Sequence, residues 1–236
     1  MHALIPWCIF GCMAAKATWL IERSLVLEAA LKLVEKGLVL GKAGNVSRRL
    51  RQPSGPDLLV ITPTSRYYDS LAPEDMPVVD LDSRVVDGVL APSSELKLHI
   101  AIYKAREDVG AVVHTHSIHA SALAVAHLGI PAVLEEEVAL LGGGINVAEY
   151  GASGSDELAN NAVDALRDND GVILANHGAV GVGRTLRGAL DAAELIEKAA
   201  EVYLLARTTG SVKLLSVQSV AAAREVFRHS KRSREA

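Results

Sequence analysis

Apolar residues recur at three- and four-residue intervals in several stretches of the chain, which is the spacing of an amphipathic helix. The clearest case is residues 18–40, where the pattern predicts a helix that ends near Gly37 or Gly41. Ser93 or Ser94 is the expected cap of the next helix, because serine oxygens accept backbone N–H groups at helix starts. The same criteria predict helices at residues 93–108, 118–129, 155–170 and 185–210.

Shorter apolar runs between turn residues predict the strands. The run at 57–64 breaks at Pro63, and the run at 171–183 reads as a strand followed by a glycine-rich turn. Residues after Val220 are polar and basic, which predicts a frayed helix or a loose tail. The remaining strands are predicted after the turn at 41–44, as two short runs within 76–95, and at 110–117 and 144–150.

Composition narrows the class of protein. The chain has 236 residues, of which 50% are apolar and 22% charged, and this suits one α/β domain or at most two small ones. The net charge of −4, without a long basic stripe, argues against a nucleic-acid partner. Cys8 and Cys12 are the only cysteines, so we expect no disulfide framework and a cytoplasmic location.

An apolar run of about thirteen residues lies within the first 20 residues. It is too short to span a bilayer, which takes roughly twenty residues as a helix, so no membrane partner is expected. Its length is that of a signal-peptide apolar region, but no Lys or Arg precedes it. We expect an N-terminal extension, with secretion as the alternative.

Histidines cluster in the segment "VVHTHSIHA" at residues 112–120. On a strand, His114 and His116 point to the same face because side chains alternate. His177 ends another predicted strand, and Glu95 begins a predicted helix. Imidazole nitrogen and carboxylate oxygen are zinc ligands. Structural histidines, an ordinary Asn-His-Gly turn, and a glutamate that offsets a helix dipole are the alternatives, and spacing alone does not decide between them.

Five short motifs occur in an order and spacing that resemble the class II aldolase/adducin family, most closely its L-fuculose-phosphate aldolase branch. The resemblance extends from about Ile21 to Leu215. It implies a three-layer α/β/α sandwich with a central, mainly antiparallel sheet, and a homotetramer with sites between subunits. It divides the chain into an extension (1–20), a catalytic domain (21–215) and a basic tail (216–236). The motifs are "GNVS" (44–47), "ITPTS" (61–65), "PSSE" (92–95), "HTH" (114–116) and "NHG" (176–178).

The resemblance also implies roles for individual residues. His114, His116 and His177 would bind zinc, and Glu95 would be a fourth ligand or an acid/base. Manganese or cobalt could replace zinc at such ligands. The substrate phosphate would lie among three loops of small and hydroxyl residues, whose alternative role is ordinary turn and capping chemistry. These residues are Gly44, Asn45, Thr64, Ser65, Ser93 and Ser94.

The implied reaction is zinc-dependent cleavage of a ketose 1-phosphate to dihydroxyacetone phosphate and an aldehyde, through an enediolate. The same intermediate serves a dehydratase of the methylthioribulose-phosphate type, a decarboxylase or a 4-epimerase. A non-enzymatic, adducin-like module is a further alternative, and the presence of all four ligand types argues against it.

Two features depart from the family pattern. Ser65 stands where the family often has glycine. The segment after Ile130-Pro131 has carboxylates where the aldolases have a tyrosine. We expect Glu136 or Glu137 to be the second acid/base, since a buried carboxylate can donate a proton near neutral pH. An exposed, acidic helix start is the alternative.

Overall fold

A single eight-stranded sheet organises the computed structural model, which describes residues 19–233. The strand order is β4-β3-β2-β1-β5-β8-β7-β6, and every neighbouring pair is antiparallel except β6 and β7. The strands are β1 (Asn45–Leu50), β2 (Leu58–Ile61), β3 (Val78–Asp80), β4 (Val85–Asp87), β5 (Ala111–Thr115), β6 (Asn146–Ala148), β7 (Gly171–Leu174) and β8 (Gly178–Gly183).

Helices cover both faces of the sheet. Val112 and Val113 are neighbours on β5, yet they pack into two different buried clusters because strand side chains alternate between faces. The α/β/α sandwich with a mainly antiparallel sheet is therefore confirmed. The helices are α1 (Leu20–Glu35), α2 (Leu96–Ala105), α3 (Ile118–Val125), α4 (Glu135–Leu141), α5 (Asp156–Leu166), α6 (Leu186–Thr208) and α7 (Val217–Ser233).

The glycine-rich stretch at 178–183 is strand β8, and its prediction as a turn was wrong. The turn lies earlier, around His177, and joins β7 to β8. Glycine is required in β8 by close packing against α6: a Cβ on Gly181 would lie 2.6 Å from the backbone nitrogen of Ala193. The glycines therefore let a strand contact a helix backbone, which a turn-propensity argument cannot detect.

Two other local expectations change. Neither Ser93 nor Ser94 occupies the N-cap position of α2; Glu95 does, without a side-chain cap, and its own N–H donates to Ser93 Oγ at 3.2 Å. The stretch expected to be frayed or loose forms the 17-residue helix α7, with Ala223 and Phe227 buried. The division into extension, domain and tail stays a prediction.

Among the residues described, no helix combines the length and the apolar character needed to cross a membrane. Both cysteines and nearly all of the predicted extension at 1–20 lie outside the described residues.

Candidate metal centre

Four side chains meet where β5, the β7–β8 turn and the start of α2 come together. His114 lies on β5 between β1 and β8, opposite Asn45 and Val180. His116 follows the end of β5, His177 precedes β8, and Glu95 immediately precedes α2. The residues are far apart in sequence, and the sheet order brings them together.

The ligand atoms of these four residues all lie within 4.8 Å of one another, so the group could hold a metal ion. His114 Nε2 is 3.0 Å from Glu95 Oε2 and 2.9 Å from His116 Nε2. His177 Nε2 is 3.3 Å from Glu95 Oε1. The three imidazole centroids are 4.8 to 4.9 Å apart.

The second nitrogen of His114 fixes which atom faces the cluster. Nδ1 is 3.0 Å from the carbonyl oxygen of Ala179, and a carbonyl can only accept, so Nδ1 carries the proton. In the neutral ring, the Nε2 lone pair then points at other acceptors. A divalent cation stabilises such a convergence of acceptors, and a backbone carbonyl behind a ligand histidine is the usual support.

Electrostatics also favour the metal-binding forms of these groups. Burial, followed by the neighbouring His114, lowers the pKa of both His116, to about 4, and His177. Burial alone would raise the pKa of Glu95, but its neighbours His114, His177 and Asn45 together hold it well below its usual range. Neutral imidazoles beside a carboxylate are the forms that bind divalent metals.

Both oxygens of Glu95 also accept hydrogen bonds from neutral side chains. Asn45 Nδ2 donates to Oε2 at 2.9 Å, and Ser153 Oγ donates to Oε1 at 2.9 Å. Ser153 was missed in the sequence, where "GASGSDE" carries no signal beyond a helix start. Its place beside Glu95 depends on the loop before α5.

A pocket of about 160 Å³ adjoins the cluster, and Glu95, His116 and His177 form part of its wall. Lys42 also lines it, with Nζ 4.8 Å from the ring centroid of Tyr67. No motif in the sequence marks that lysine as a site residue. All six residues that the resemblance assigns to phosphate line this pocket: Gly44, Asn45, Thr64, Ser65, Ser93 and Ser94.

Two backbone positions explain the small residues of these loops. Gly44 has a φ of 72°, and a Cβ there would lie 2.7 Å from the carbonyl oxygen of His114. Ser65 has a φ of 55°, the left-handed region that favours glycine. The serine therefore occupies a conformation that costs it about 1 kcal/mol or more.

The two candidate second acids lie on α4 and outside the lining of this pocket in a single chain. Glu136 is half-exposed and pairs with Lys198 at 2.5 Å. Glu137 is fully buried; its Oε2 accepts the N–H groups of Val133 and Leu134 at 3.3 Å, and its Oε1 has no partner among the described residues. A catalytic role for either residue stays a prediction.

Comparison with known proteins agrees with this geometry. The model of the class II aldolase and adducin N-terminal domain family matches residues 24–204. A 5-deoxy-D-ribulose 1-phosphate aldolase from Bacillus thuringiensis serovar kurstaki is 35% identical over 194 residues, 82% of this chain and 89% of the relative. A 5-methylthioribulose-1-phosphate/5-deoxyribulose-1-phosphate aldolase from Rhodospirillum rubrum is 37% identical over 179 residues, 75% of this chain and 78% of the relative.

A solved structure of an L-fuculose 1-phosphate aldolase superposes with a TM-score of 0.83 at 32% identity, over 87% of this chain and 95% of that one. The chain therefore belongs to the class II aldolase and adducin N-terminal domain family. Within that family it is a metal-dependent lyase with an intact Glu/His₃ cluster. The expected family and enzyme class are confirmed.

Replacing His177 should remove bound metal. The variant His177→Ala leaves two imidazoles and one carboxylate. Losing even a partner that supports a ligand costs about 10–100-fold in metal affinity, so we expect the metal content after dialysis to fall below about a tenth of the wild-type value. Elemental analysis measures it. His229→Ala, on the exposed face of α7, is the matched control. Full metal content in His177→Ala would remove His177 from the ligand set.

Glu137 should make stability depend on pH. Burial outweighs the backbone hydrogen bonds and raises its pKa from 4.5 to about 7, so the folded chain binds this proton more tightly than the unfolded chain. The contribution of this proton to the free energy of unfolding is fully present below the pKa that Glu137 has in the unfolded chain. It decreases as the pH rises towards 7, by up to about 1.4 kcal/mol per pH unit.

Urea unfolding at several pH values measures this effect. Glu137→Gln should become more stable relative to the wild type as pH rises, while Glu136→Gln, the neighbouring control, should follow the wild type. Parallel stability curves for Glu137→Gln and the wild type would contradict the expected burial of the charge.

Proposed function

We propose that this chain is a zinc-dependent aldolase that cleaves a ketose 1-phosphate to dihydroxyacetone phosphate and an aldehyde. The supporting observation is that the Glu/His₃ cluster opens on a pocket lined by hydroxyl-bearing loops. A metal group and an anion-binding group in one small pocket suit a substrate with a phosphate close to its reacting carbons.

The loops have the chemistry to bind the phosphate. Thr64, Ser65 and Ser94 are hydroxyl residues on the pocket wall, and the N-terminus of α2 begins just after Ser94. Hydroxyls, backbone N–H groups and helix N-termini all stabilise phosphate. The exposed ammonium of Lys42 adds a positive charge at the same wall.

Zinc suits three imidazoles and a carboxylate, and manganese or cobalt tolerates the same ligands. When bound, the ion supplies Lewis-acid stabilisation of negative charge on substrate oxygens. His114, His116 and His177 would hold it. The lowered pKa values of His116 and His177 keep those two rings neutral, and the lowered pKa of Glu95 keeps its carboxylate charged.

Glu95 is the residue placed to move a proton. Glu95 would take the proton of the hydroxyl on the carbon that becomes the aldehyde, and the C–C bond breaks as that oxygen forms the carbonyl. The bonding electron pair stays on the phosphorylated fragment as an enediolate. A proton returned by Glu95 to that carbon completes dihydroxyacetone phosphate.

The relatives support the ketose 1-phosphate class, because their names specify 5-deoxyribulose, 5-methylthioribulose and fuculose phosphates. These sugars share the phosphorylated end and differ at the end released as aldehyde. Dehydration, decarboxylation and 4-epimerisation remain the alternatives, since each uses the same intermediate.

A substrate screen on zinc-loaded protein tests the proposal. We expect dihydroxyacetone phosphate to form from ketose 1-phosphates, to stop after chelation, and to resume when zinc is added back. Formation of a diketone phosphate without dihydroxyacetone phosphate would instead identify a dehydratase. Ser94→Ala should raise KM about tenfold, the loss of one hydrogen bond to a charged group, with Ser219→Ala on α7 as the control.

We also propose a homotetramer in the cytoplasm, with sites between subunits. Ile118 and Val125 on α3 and Leu205 on α6 are exposed apolar side chains available for such contacts. Sedimentation of the purified chain at micromolar concentration should give a tetramer. A monomer at that concentration would contradict the assembly.

A further inference from the structure

A line of buried polar side chains extends from Glu95 into the core between β1 and α2. Ser47, His99 and Tyr103 are each 0% exposed, and Asn45 is 5% exposed. Asn45 Nδ2 is 2.9 Å from Glu95 Oε2, and Asn45 Oδ1 is 2.5 Å from His99 Nε2. Ser47 Oγ is 2.6 Å from His99 Nδ1 and 2.8 Å from the hydroxyl of Tyr103.

The positions follow from the periods of the two elements. Asn45 and Ser47 are two residues apart on β1, so both point to the α2 side of the sheet. His99 and Tyr103 are four residues apart and lie along one face of α2, and Glu95, at the N-cap position, is four residues before His99. The strand and the helix thus present two matched rows of polar groups.

The chemistry of the groups determines which atom donates and which accepts in each hydrogen bond of this line. The Glu95 carboxylate only accepts, so Asn45 must turn its NH₂ towards it and its oxygen towards His99. His99 then donates from Nε2 and accepts at Nδ1 from the hydroxyl of Ser47.

Tyr103 donates in turn to Ser47, so every group in the line has a partner. Burial, and then the neighbouring His114, lowers the pKa of His99 to about 3, which keeps the ring neutral.

We propose that His99 is a positioning residue that fixes the amide of Asn45 with its NH₂ towards Glu95. This inference rests on the proposed role of Glu95 as metal ligand and proton carrier. It also assigns the side chain of Asn45 to Glu95, whereas the resemblance assigned Asn45 to the substrate phosphate.

Without the N–H of His99, the Glu95 carboxylate is the one group in this line that still favours the present orientation of the Asn45 amide. A flipped amide would place Oδ1 against the carboxylate, two acceptors facing each other. Glu95 would then lose the hydrogen bond on Oε2 and keep only the one from Ser153 on Oε1. The carboxylate would be less firmly held for its part in the reaction.

The first test uses the wild-type chain and requires no activity. Side-chain ¹H–¹⁵N spectra of metal-free protein should show His99 as the neutral Nε2–H form throughout the physiological pH range. A proton on Nδ1, or a charged ring, would be incompatible with His99 donating from Nε2 and accepting at Nδ1. Either result would overturn the proposal. This measurement stands even if every variant of His99 fails to fold.

The second test compares substitutions that keep or remove the donor. His99→Leu should lower kcat about tenfold or more, the loss of one hydrogen bond to a charged group, while KM stays within about threefold. His99→Gln offers an N–H to Asn45 and an acceptor to Ser47, so it should recover most of the rate. His229→Leu on α7 is the matched control.

Coupling between His99 and Asn45 gives a stricter criterion. If His99 acts through Asn45, the double variant Asn45→Ala/His99→Leu should be no slower than the worse single variant. Independent, additive losses would overturn the proposal, as would a folded His99→Leu with unchanged kcat.

The visible absorption of Co²⁺-loaded protein separates this inference from the proposed function. His99→Leu should change that spectrum, which reports the ligand geometry at Glu95, and His99→Gln should resemble the wild type. If the wild type cleaves no ketose phosphate yet these spectra behave as stated, the proposed function fails and the role of His99 stands. An unchanged spectrum in folded His99→Leu would contradict the positioning role of His99.

Discussion

The convergence of acceptor atoms at Glu95, His114, His116 and His177 is the constraint on which the rest of this structure depends. Lone pairs brought this close repel one another, and a buried carboxylate is costly unless hydrogen bonds or a cation compensate it. Hydrogen bonds from Asn45 and Ser153 stabilise the Glu95 carboxylate, and the carbonyl oxygen of Ala179 selects one tautomer of His114. The neighbouring elements are arranged around these requirements.

The surrounding glycines illustrate that arrangement. Gly44 lets its loop approach the backbone of His114, and Gly181 lets β8 lie directly against α6. Both contacts are between backbones, at distances that a Cβ would prevent. Gly178 does the same at the β7–β8 turn beside His177, where a Cβ would lie 2.2 Å from the carbonyl oxygen of Thr115 on β5.

The extent of sequence prediction can be judged from particular residues. The four metal-ligand candidates could be selected because His-x-His and the flanking motifs are short and local, and the sheet then brought them together. The apolar periods indicated which segments form helices and strands, whereas the three-layer sandwich was implied by the family resemblance. Glycine in β8 was misinterpreted because the benefit of a missing Cβ arises only from contact with α6, which is distant in sequence.

Other misses have equally specific causes. Ser153 and Lys42 reach the site through loop geometry, which no residue pattern encodes. The basic segment after Val220 was predicted to be frayed or loose because its apolar side chains are few, yet two of them, Ala223 and Phe227, are buried on α7. The polar line behind Glu95 has a pattern, Asn-x-Ser on a strand and Glu-x₃-His-x₃-Tyr on a helix, that becomes meaningful only once the two elements are known to pack together.

The location of Glu137 bears on whether the site cleaves its substrate or dehydrates it. Cleavage removes a hydroxyl proton and leaves an enediolate, whereas dehydration removes a carbon-bound proton to form an enediolate and then expels a hydroxyl. The placement of a second proton-transfer group therefore decides which product forms. Among the described residues that line the pocket, Glu95 is the single carboxylate, and Glu136 and Glu137 lie elsewhere on α4. If the proposed tetramer forms, a neighbouring subunit can supply the second donor. Reaction specificity would then be a property of the assembly, while metal and phosphate binding belong to the single chain.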